Sequence, residues 1–297
     1  MKKQLTATFL LLSIGIAGSG QYDYSKELVG ELGISLNAMN CNTDVEGKIA
    51  DPKNFKPSGG VYAGVLFRQS LGLRLEATLG TVTATDTRAS KRTLKRRNLD
   101  FTSSISELSL LAEVHPLNIL HNAYNAPALS LYLLGGVSYF VFNPKTQLKH
   151  RWIYLQPLHT EGEGFPETGR PDYKLSQINF PVGSGLQYRL SERFVLRGEV
   201  IYRLLSTDYL DDVSTNYVHP SLFDQYLSTN DAALARKLAD RSVELSGVPA
   251  NKPGTKRGSL NKDAYYSVDI KLGMTLDGSR GSINARRTRK TIGCYMF

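Results

Sequence analysis

Residues 194–204 alternate strictly between apolar and mostly charged side chains, and this pattern restricts the fold more than any other stretch of the chain. One face carries Phe194, Leu196, Gly198, Val200, Tyr202 and Leu204, and the other carries Val195, Arg197, Glu199, Ile201 and Arg203. A period of two is typical of a β-strand whose two faces meet different surroundings. In a soluble sheet the apolar face packs on a core, whereas in a membrane barrel it meets lipid and the charged face lines the interior.

Seven further segments alternate in the same way, so the sequence predicts eight strands. Besides 194–204, they lie at about 28–38, 61–68, 73–80, 107–114, 129–141, 178–189 and 266–275. Long polar connections alternate strictly with short turns along the chain, as in outer-membrane barrels. The predicted strands are close to the roughly 9 to 11 residues that cross a bilayer. We therefore predict an all-β fold: an eight-stranded antiparallel transmembrane outer-membrane β-barrel with long outer loops and a periplasmic C-terminal tail.

The ionisable side chains indicate which face meets lipid. The predicted apolar faces carry no charge, and the polar faces carry equal numbers of cations and anions that could pair inside a closed, narrow barrel. The cations are Arg68, Arg74, Arg189, Arg197, Arg203 and Lys271, and the anions are Glu31, Glu76, Glu107, Glu113, Glu199 and Asp269. Outward aromatic residues predict two interfacial belts, Phe67, Tyr188 and Phe194 at the turn ends and Tyr139, Phe180 and Tyr266 at the loop ends. A soluble β-sandwich with solvated charged faces is the alternative.

The two ends of the chain predict export and a tail. Lys2 and Lys3 precede an apolar run, Leu5–Ile16, and small residues follow up to Gly20, which is typical of a signal peptide. We therefore divide the chain into a signal peptide (1–20), a barrel (21–276) and a basic periplasmic tail (277–297). The net charge of +9 favours anionic lipid or an acidic partner, because an exported chain rarely meets nucleic acid. Cys41 on the first outer loop and Cys294 in the tail are predicted to lie on opposite sides of the membrane, where they cannot bond.

Few residues suggest a chemical site. His219 lies close to Ser221 in the sequence, but a lone His–Ser pair is weak support for the alternative that this is a lipid-modifying barrel enzyme. Asp208, Asp211 and Asp212 could bind Ca²⁺, although their spacing favours hydrogen bonding at a loop end. The basic run Arg88–Arg97 is expected to face lipopolysaccharide phosphates. A short amphipathic helix is predicted within residues 228–241. We expect no catalytic residue, cofactor or metal.

The segment STDYLDDVSTNYV, Ser206–Val218, resembles the characteristic stretch of the PorG-type family of Bacteroidota outer-membrane β-barrels. RRTRKTIGCYMF, Arg286–Phe297, is similar to the basic tail of that family, and YSKELVGELGISL, Tyr24–Leu36, is similar to its opening strand. The resemblance implies a non-enzymatic component of the type IX protein secretion machinery. Such a component links the outer membrane to a periplasmic ring formed by a lipoprotein and its soluble partner. The family motif falls on Asp208, Tyr209, Leu210, Asp211 and Asp212.

The tail is the predicted partner-binding segment. Residues 279–297 contain five cations and no acid, so they are expected to be disordered alone and to order on an acidic partner surface. The thiol of Cys294 and the apolar C-terminal residues could strengthen the contact in an oxidising compartment. The predicted contact residues are Arg286, Arg287, Arg289, Lys290, Cys294 and Phe297. A solvated tail without a role, and a structural barrel unrelated to secretion, remain open alternatives.

Overall fold

The computed structural model describes residues 28–45, 52–120, 128–259 and 261–276, which form nine strands and five short α-helices. The strands are β1 (Leu28–Asn42), β2 (Lys56–Phe67), β3 (Leu71–Thr85), β4 (Asp100–Val114), β5 (Leu129–Leu148), β6 (Arg151–Tyr154), β7 (Ser176–Arg189), β8 (Phe194–Leu205) and β9 (Ala264–Leu276). The helices are α1 (Arg92–Arg97), α2 (Pro116–Leu120), α3 (Ser221–Tyr226), α4 (Thr229–Ala239) and α5 (Val243–Ser246). The predicted signal peptide and basic tail lie outside the described residues.

Eight of the strands close into a barrel. Their order is β4-β3-β2-β1-β9-β8-β7-β5, and β4 also pairs with β5, which completes the circle. All the pairings are antiparallel. Among the described residues, the ninth strand, β6, pairs only with the outer end of β5. The closed order confirms the predicted eight-stranded antiparallel barrel.

The apolar faces point out of the barrel and the charged faces point into it. On β3, Leu71, Leu73 and Leu75 are 50%, 51% and 49% exposed, whereas Arg74 and Glu76 between and beside them are each 2% exposed. A closed barrel leaves no unpaired strand edge, so it can present this apolar surface to lipid. The predicted inside–outside assignment is therefore confirmed. Among the described residues, no helix is both long and apolar enough to cross a membrane.

Several strands continue well beyond the lipid-facing band, and here the predicted boundaries were wrong. The outward apolar residues of β3 end at Leu79, and Thr81 and Thr83 follow on the same face, while Val82 and Ala84 point inward and are buried. At ~3.3 Å per residue and a tilt of about 40°, residues 71–79 give a band roughly 20 to 25 Å tall, as outer-membrane barrels require. The remaining outer part of β3 therefore belongs to a second core above the membrane.

The long connections at the outer end fold into a cap on this second core. Inward side chains of the barrel rim, including Phe101, Phe140 and Phe142, pack with buried residues of α3 and α4 such as Phe223 and Leu238. The predicted helix within 228–241 is confirmed as α4, and the Ser228 side chain accepts a hydrogen bond of 3.2 Å from the Asp231 N–H at its start. The outer loops are thus one packed layer.

Tyr266 and Cys41 lie in other surroundings than predicted, whereas the remaining belt residues face outward as predicted. Tyr266 was expected in the outer aromatic belt but is 8% exposed, because Phe55 and Tyr202 pack against its ring. Cys41 lies within β1 instead of a loop, and its buried thiol lies 3.7 Å from the Thr83 carbonyl oxygen. The other belt residues are 44% to 55% exposed, as the two belts require: Phe67, Tyr188, Phe194, Tyr139 and Phe180.

The lipid face predicts a depth-dependent cost for charge. Leu110 is 46% exposed at the middle of the β4 band, so Leu110→Arg is expected to cost about 2 to 4 kcal/mol of unfolding free energy in a bilayer. Ser104 faces outward on the same strand but lies beyond the band, so Ser104→Arg is the matched control and should cost about 0 to 1 kcal/mol. Denaturant unfolding of both variants in lipid vesicles measures the difference. Equal costs for the two variants would contradict the assigned position of the lipid-facing band.

Candidate functional site

The interior of the barrel is filled by ion pairs that connect strands across the lumen. Arg197 on β8 donates Nε to Glu31 Oε1 at 2.9 Å and Nη2 to Glu31 Oε2 at 2.7 Å, which is a bidentate contact with β1. Its Nη1 also donates to Glu113 of β4 at 3.0 Å. A planar guanidinium fits such a two-point contact, and ionised partners strengthen each hydrogen bond. One arginine therefore holds three strands together.

A second group of charges lies beside it. Arg74 donates two hydrogen bonds of 2.6 and 2.9 Å to Glu199, and its Nη1 lies 2.9 Å from a Glu113 oxygen. Lys271 lies 2.6 Å from Glu76 and 3.0 Å from Glu199. Each of these side chains is at most 3% exposed. The lumen at this level is a continuous network of opposite charges.

A third group lies nearer the outer end. Arg203 Nε donates to Glu107 at 2.8 Å, and the Asn179 amide donates to the same carboxylate at 2.9 Å. Tyr265 also donates its hydroxyl to Glu107, and Arg203 Nη1 donates to Ser267 at 2.9 Å. Above these residues the lumen becomes apolar and joins the core of the cap. The ionic interior and the apolar cap therefore meet at this layer.

The filled lumen leaves no visible route for solute within the described residues. A cavity of about 10 Å³ among Glu31, Arg74 and Arg197 has room for about one water molecule. One of the predicted interior cations lies elsewhere, because Arg68 is in the exposed β2–β3 turn against the Phe67 ring. Strand β2 ends at Phe67, so Arg68 no longer follows its alternation. Arg189, the last residue of β7, lies on the inward face at the short-turn end and donates to Gln69. The network itself has four cations, Arg74, Arg197, Arg203 and Lys271, facing the six predicted acids.

The interior network predicts a large cost for removing one cation. Arg197→Ala leaves Glu31 and Glu113 buried without their principal partner, so unfolding free energy should fall by about 3 to 5 kcal/mol. Arg193→Ala, in the exposed β7–β8 turn, is the control and should be nearly neutral. The measurement is the temperature at which the folded form disappears on a gel. Arg197→Ala should lose the folded form at a lower temperature than Arg193→Ala. Identical behaviour of the two variants would mean that the ion pairs do not stabilise the barrel.

The motif segment lies at the centre of the cap, directly after β8. Leu210, Asp211 and Asp212 are 0%, 1% and 0% exposed, so the motif is a buried structural turn and not a binding surface. Asp212 has a φ of 65°, in the left-handed region that Asn and Asp tolerate better than most residues. Asp211 accepts the Val45 N–H at 2.9 Å and its own loop's Val213 N–H at 3.0 Å. The motif thereby fixes the first outer loop to the last.

Asp212 and its neighbours bind the third outer loop. The Asp212 carboxylate accepts hydrogen bonds from Thr160 at 2.5 Å and from the Tyr173 hydroxyl at 2.6 Å. Arg257 donates to the Asp212 carbonyl at 2.6 Å and to Glu161 at 3.1 Å. Tyr209 stacks on Tyr173 with ring centroids 4.6 Å apart. Three outer loops therefore meet on the motif.

These contacts favour the hydrogen-bonding interpretation of the motif over calcium binding. Asp208 accepts from the Ser214 hydroxyl at 2.7 Å, and Asp263 accepts from the Leu210 N–H at 2.9 Å. Within the described parts of the chain, no group of three His, Cys, Asp or Glu side chains could hold a metal ion. Sequence reasoning did not find Glu161, Tyr173 and Arg257, because the distant loops that carry them show no pattern linking them to the motif.

Burial also changes the acidity of the cap carboxyls. Burial, with the nearby charges of Asp44 and Glu161, raises the pKa of Asp208 from 3.8 to about 7 against the hydrogen bond from Ser214. Burial likewise raises the pKa values of Asp212, Asp263 and Glu163. These carboxyls hold a proton more tightly in the folded cap than in the unfolded chain.

The raised pKa values predict a cap that is more stable in mild acid. A group with a raised folded pKa contributes stability that is fully present below its unfolded pKa and is lost as pH rises through the folded pKa. For Asp208 that window runs from about 4 to about 7. Hydrogen exchange of the Leu210 and Val45 amides, corrected for intrinsic rate, should show greater protection at pH about 5 than at pH about 8. In Asp208→Asn, which stays uncharged, the difference should shrink. A cap better protected at the higher pH would contradict the assignment.

The remaining predicted site residues do not come together in one site. Ser221 donates its hydroxyl to His219 Nδ1 at 2.7 Å, but the pair is exposed at the start of α3, and the Ser221 N–H also points to Nδ1. Among the described residues, no carboxylate is hydrogen-bonded to His219 to orient the ring. Arg97 of the basic run is buried in a bidentate contact with Asp86, while Lys91, Arg92, Lys95 and Arg96 are exposed as expected. The predicted tail contacts, Arg286, Arg287, Arg289, Lys290, Cys294 and Phe297, lie outside the described residues.

Comparison with known proteins found no matching family model and no similar curated protein. Similar solved structures include the outer membrane protein OprG from Pseudomonas aeruginosa, with 12% identity, a TM-score of 0.37, and coverage of 84% of this chain and 96% of that chain. A major outer membrane protein from Thermus thermophilus has 11% identity, a TM-score of 0.37, and coverage of 83% and 99%. The attachment invasion locus protein Ail of Yersinia pestis has 10% identity, a TM-score of 0.35, and coverage of 84% and 97%.

These TM-scores are too low to support an inference, so the assignment depends on the chain's own geometry. A closed antiparallel barrel with an even strand count, an apolar exterior band, a charged lumen and aromatic belts is built to cross the outer membrane. The protein is an outer-membrane β-barrel. Its filled lumen supports a role as a membrane anchor or structural barrel.

Proposed function

We propose that this barrel is the outer-membrane anchor of a type IX protein secretion machinery and tethers its periplasmic ring to the membrane. The observation that carries the proposal is a barrel closed to solute, with its outer end packed and its chain continuing from the opposite end. The resemblance of Ser206–Val218 and Arg286–Phe297 to the PorG-type family supports the same role. The role is non-enzymatic and needs no cofactor.

The two ends of the barrel differ in a way that suits tethering. The outer connections are packed around the motif, whereas Leu28 pairs with Phe67 and Gly30 pairs with Leu276 at the end that carries the short turns. Short turns lie on the periplasmic side of outer-membrane barrels. The chain therefore leaves β9 on the side where a periplasmic partner would be, and the cap is directed to the cell exterior.

The tail sequence has the chemistry of a contact with an acidic surface. Arg286, Arg287, Arg289 and Lys290 form a cationic cluster, and Cys294 and Phe297 follow as a thiol and an apolar end. Cationic segments associate with acidic surfaces through complementary charge, which also accelerates the encounter. A mixed disulfide through Cys294 would lock the contact in the oxidising periplasm.

Truncation of the tail is the decisive test. A chain ending at Leu276 should still insert and retain heat-modifiability, because all eight barrel strands are complete at that point. It should no longer copurify with the periplasmic ring lipoprotein and its soluble partner, and export of type IX cargo should fall. Cys294→Ser alone should weaken copurification mainly under non-reducing conditions.

A charge-neutralised tail is the second test variant. Replacing Arg286, Arg287, Arg289 and Lys290 with Gln keeps the length and the Cys294 thiol, so it separates charge from the covalent contact. Loss of copurification in both variants would support the tail as the tether. Native copurification by the truncated barrel, with normal export, would overturn the proposal and leave a structural barrel unrelated to secretion.

A further inference from the structure

A groove at the outer end, far from the tail, has the features of a binding site. It lies between the β5–β6 hairpin and the helices α4 and α5, and it encloses about 830 Å³. This volume falls within the range of typical ligand pockets. Its apolar lining comes from both walls: Leu148, Ile153, Leu234, Val243 and Pro249.

The rim of the groove is strongly cationic. Lys149, Arg151 and Lys237 line it and are exposed, and within the described residues no carboxylate lies at ion-pair distance from any of them. The fourth cation of the rim, Arg236, is paired with Asp224, and the single acid, Glu244, is paired with Arg241. The groove therefore offers three unneutralised positive charges around an apolar floor. Charge complementarity requires an anionic occupant that also carries apolar groups.

The hairpin that forms one wall holds its tip in an unusual backbone conformation. Lys149 and His150 have φ values of 47° and 66°, so both central residues of the turn are left-handed although neither is glycine. Two-residue hairpin turns of this kind strongly prefer Asn-Gly or Gly-Gly. The β2–β3 turn has the same conformation at Arg68 and Gln69, so the conformation belongs to the short hairpins and not to the groove alone. The turn places Lys149 at the rim of the groove.

The position of the groove excludes a bilayer lipid as its occupant. The outward apolar residues of β5 end at Val141, and the strand continues for seven residues to Leu148. At ~3.3 Å per residue, this extension places the groove about 20 Å along the strand beyond the lipid-facing band. An acyl chain anchored in the membrane does not reach it, so the occupant comes from the cell exterior.

The neighbouring strand edge indicates that the occupant is a polypeptide. In the described part of the chain, strand β6 is the last strand of its sheet and pairs only with β5. Trp152 and Tyr154 on this strand are 54% and 50% exposed, and Val248 beyond α5 is 63% exposed. Extended peptides bind open strand edges through main-chain hydrogen bonds and place alternate side chains in adjacent pockets. We propose that the groove and the β6 edge bind an extended acidic polypeptide segment with apolar side chains, presented at the cell surface.

Peptide binding to the full chain in phosphatidylcholine nanodiscs tests this site. The probe is a fluorescein-labelled decapeptide of alternating Glu and Leu, compared with peptides of alternating Lys and Leu and of alternating Glu and Ser. Fluorescence anisotropy should show saturable binding of the Glu–Leu peptide, at least about tenfold tighter than either comparison peptide. Its affinity should fall as salt is added, because the rim charges are exposed.

Charge reversal at the rim provides the matched variants. Lys149→Glu with Arg151→Glu should weaken Glu–Leu binding at least about tenfold. Lys174→Glu with Lys262→Glu changes the same total charge at exposed outer-loop positions away from the groove, and it should leave binding nearly unchanged. Unaltered heat-modifiability shows that each variant is folded.

Three results would overturn the inference: equal binding of all three peptides, equal weakening by the two charge reversals, or preferential binding of sodium dodecanoate at the groove. The last result would assign the groove to a small amphiphile. Because no arm of the experiment involves the tail or a secretion partner, its outcome is independent of the proposed function.

Discussion

Ion pairing across the lumen is the interaction on which the closed barrel depends. Along the β8–β9 ladder, Arg197 lies directly opposite Lys271 and Glu199 lies directly opposite Asp269. Like charges in directly opposite positions destabilise a sheet. The compensating contacts are Glu31 of β1 for Arg197 and Glu199 for Lys271 at 3.0 Å, and β3 on the opposite wall adds Arg74 for Glu199 and Glu76 for Lys271. An open sheet would keep the repulsion and lose the contacts that β3 supplies, so the charges favour closure as well as filling the lumen. Small residues make the contact possible, since a Cβ added to Gly33 would lie 2.4 Å from the Tyr62 ring, whose hydroxyl donates to Glu31.

The barrel could be predicted from the sequence because lipid and the lumen impose opposite polarity on alternate residues. The same rule explains why the predicted strands end before the real ones. On β3 the apolar residues are outward up to Leu79 and inward from Val82, although the strand continues without a break in its pairing. The alternation keeps its phase while the apolar set moves to the other face. This exchange marks the membrane edge, where water replaces lipid outside and the cap core replaces the ion pairs inside. A prediction that equates apolar with outward must end the strand there.

The candidate sites were less predictable, because their contacts join distant loops. The position of the motif after the seventh predicted strand was correct, but its chemistry depends on Thr160, Tyr173 and Arg257, which no local spacing connects to Asp212. The basic run Arg88–Arg97 also depends on tertiary packing, because burial distinguishes its members. Arg97 bonds to Asp86 inside the cap, and its neighbours remain at the surface. Charge patterns in a sequence show how much charge a loop carries, and only tertiary packing decides which charges are structural.

The exposed charges at the outer-end groove differ from the structural charges inside the barrel. Leu148, Ile153 and Leu234 at its floor pack against the cap core, so the cap holds the walls in place. Lys149 and Arg151 at its rim are exposed and make no ion pair among the described residues. Their charge consequently contributes little to the stability of the cap, since exposed charges interact weakly through water. The interior arginines show the reverse arrangement, because every one of them is committed to a carboxylate. Substitutions inside the barrel should therefore alter folding, whereas substitutions at the rim should alter binding alone.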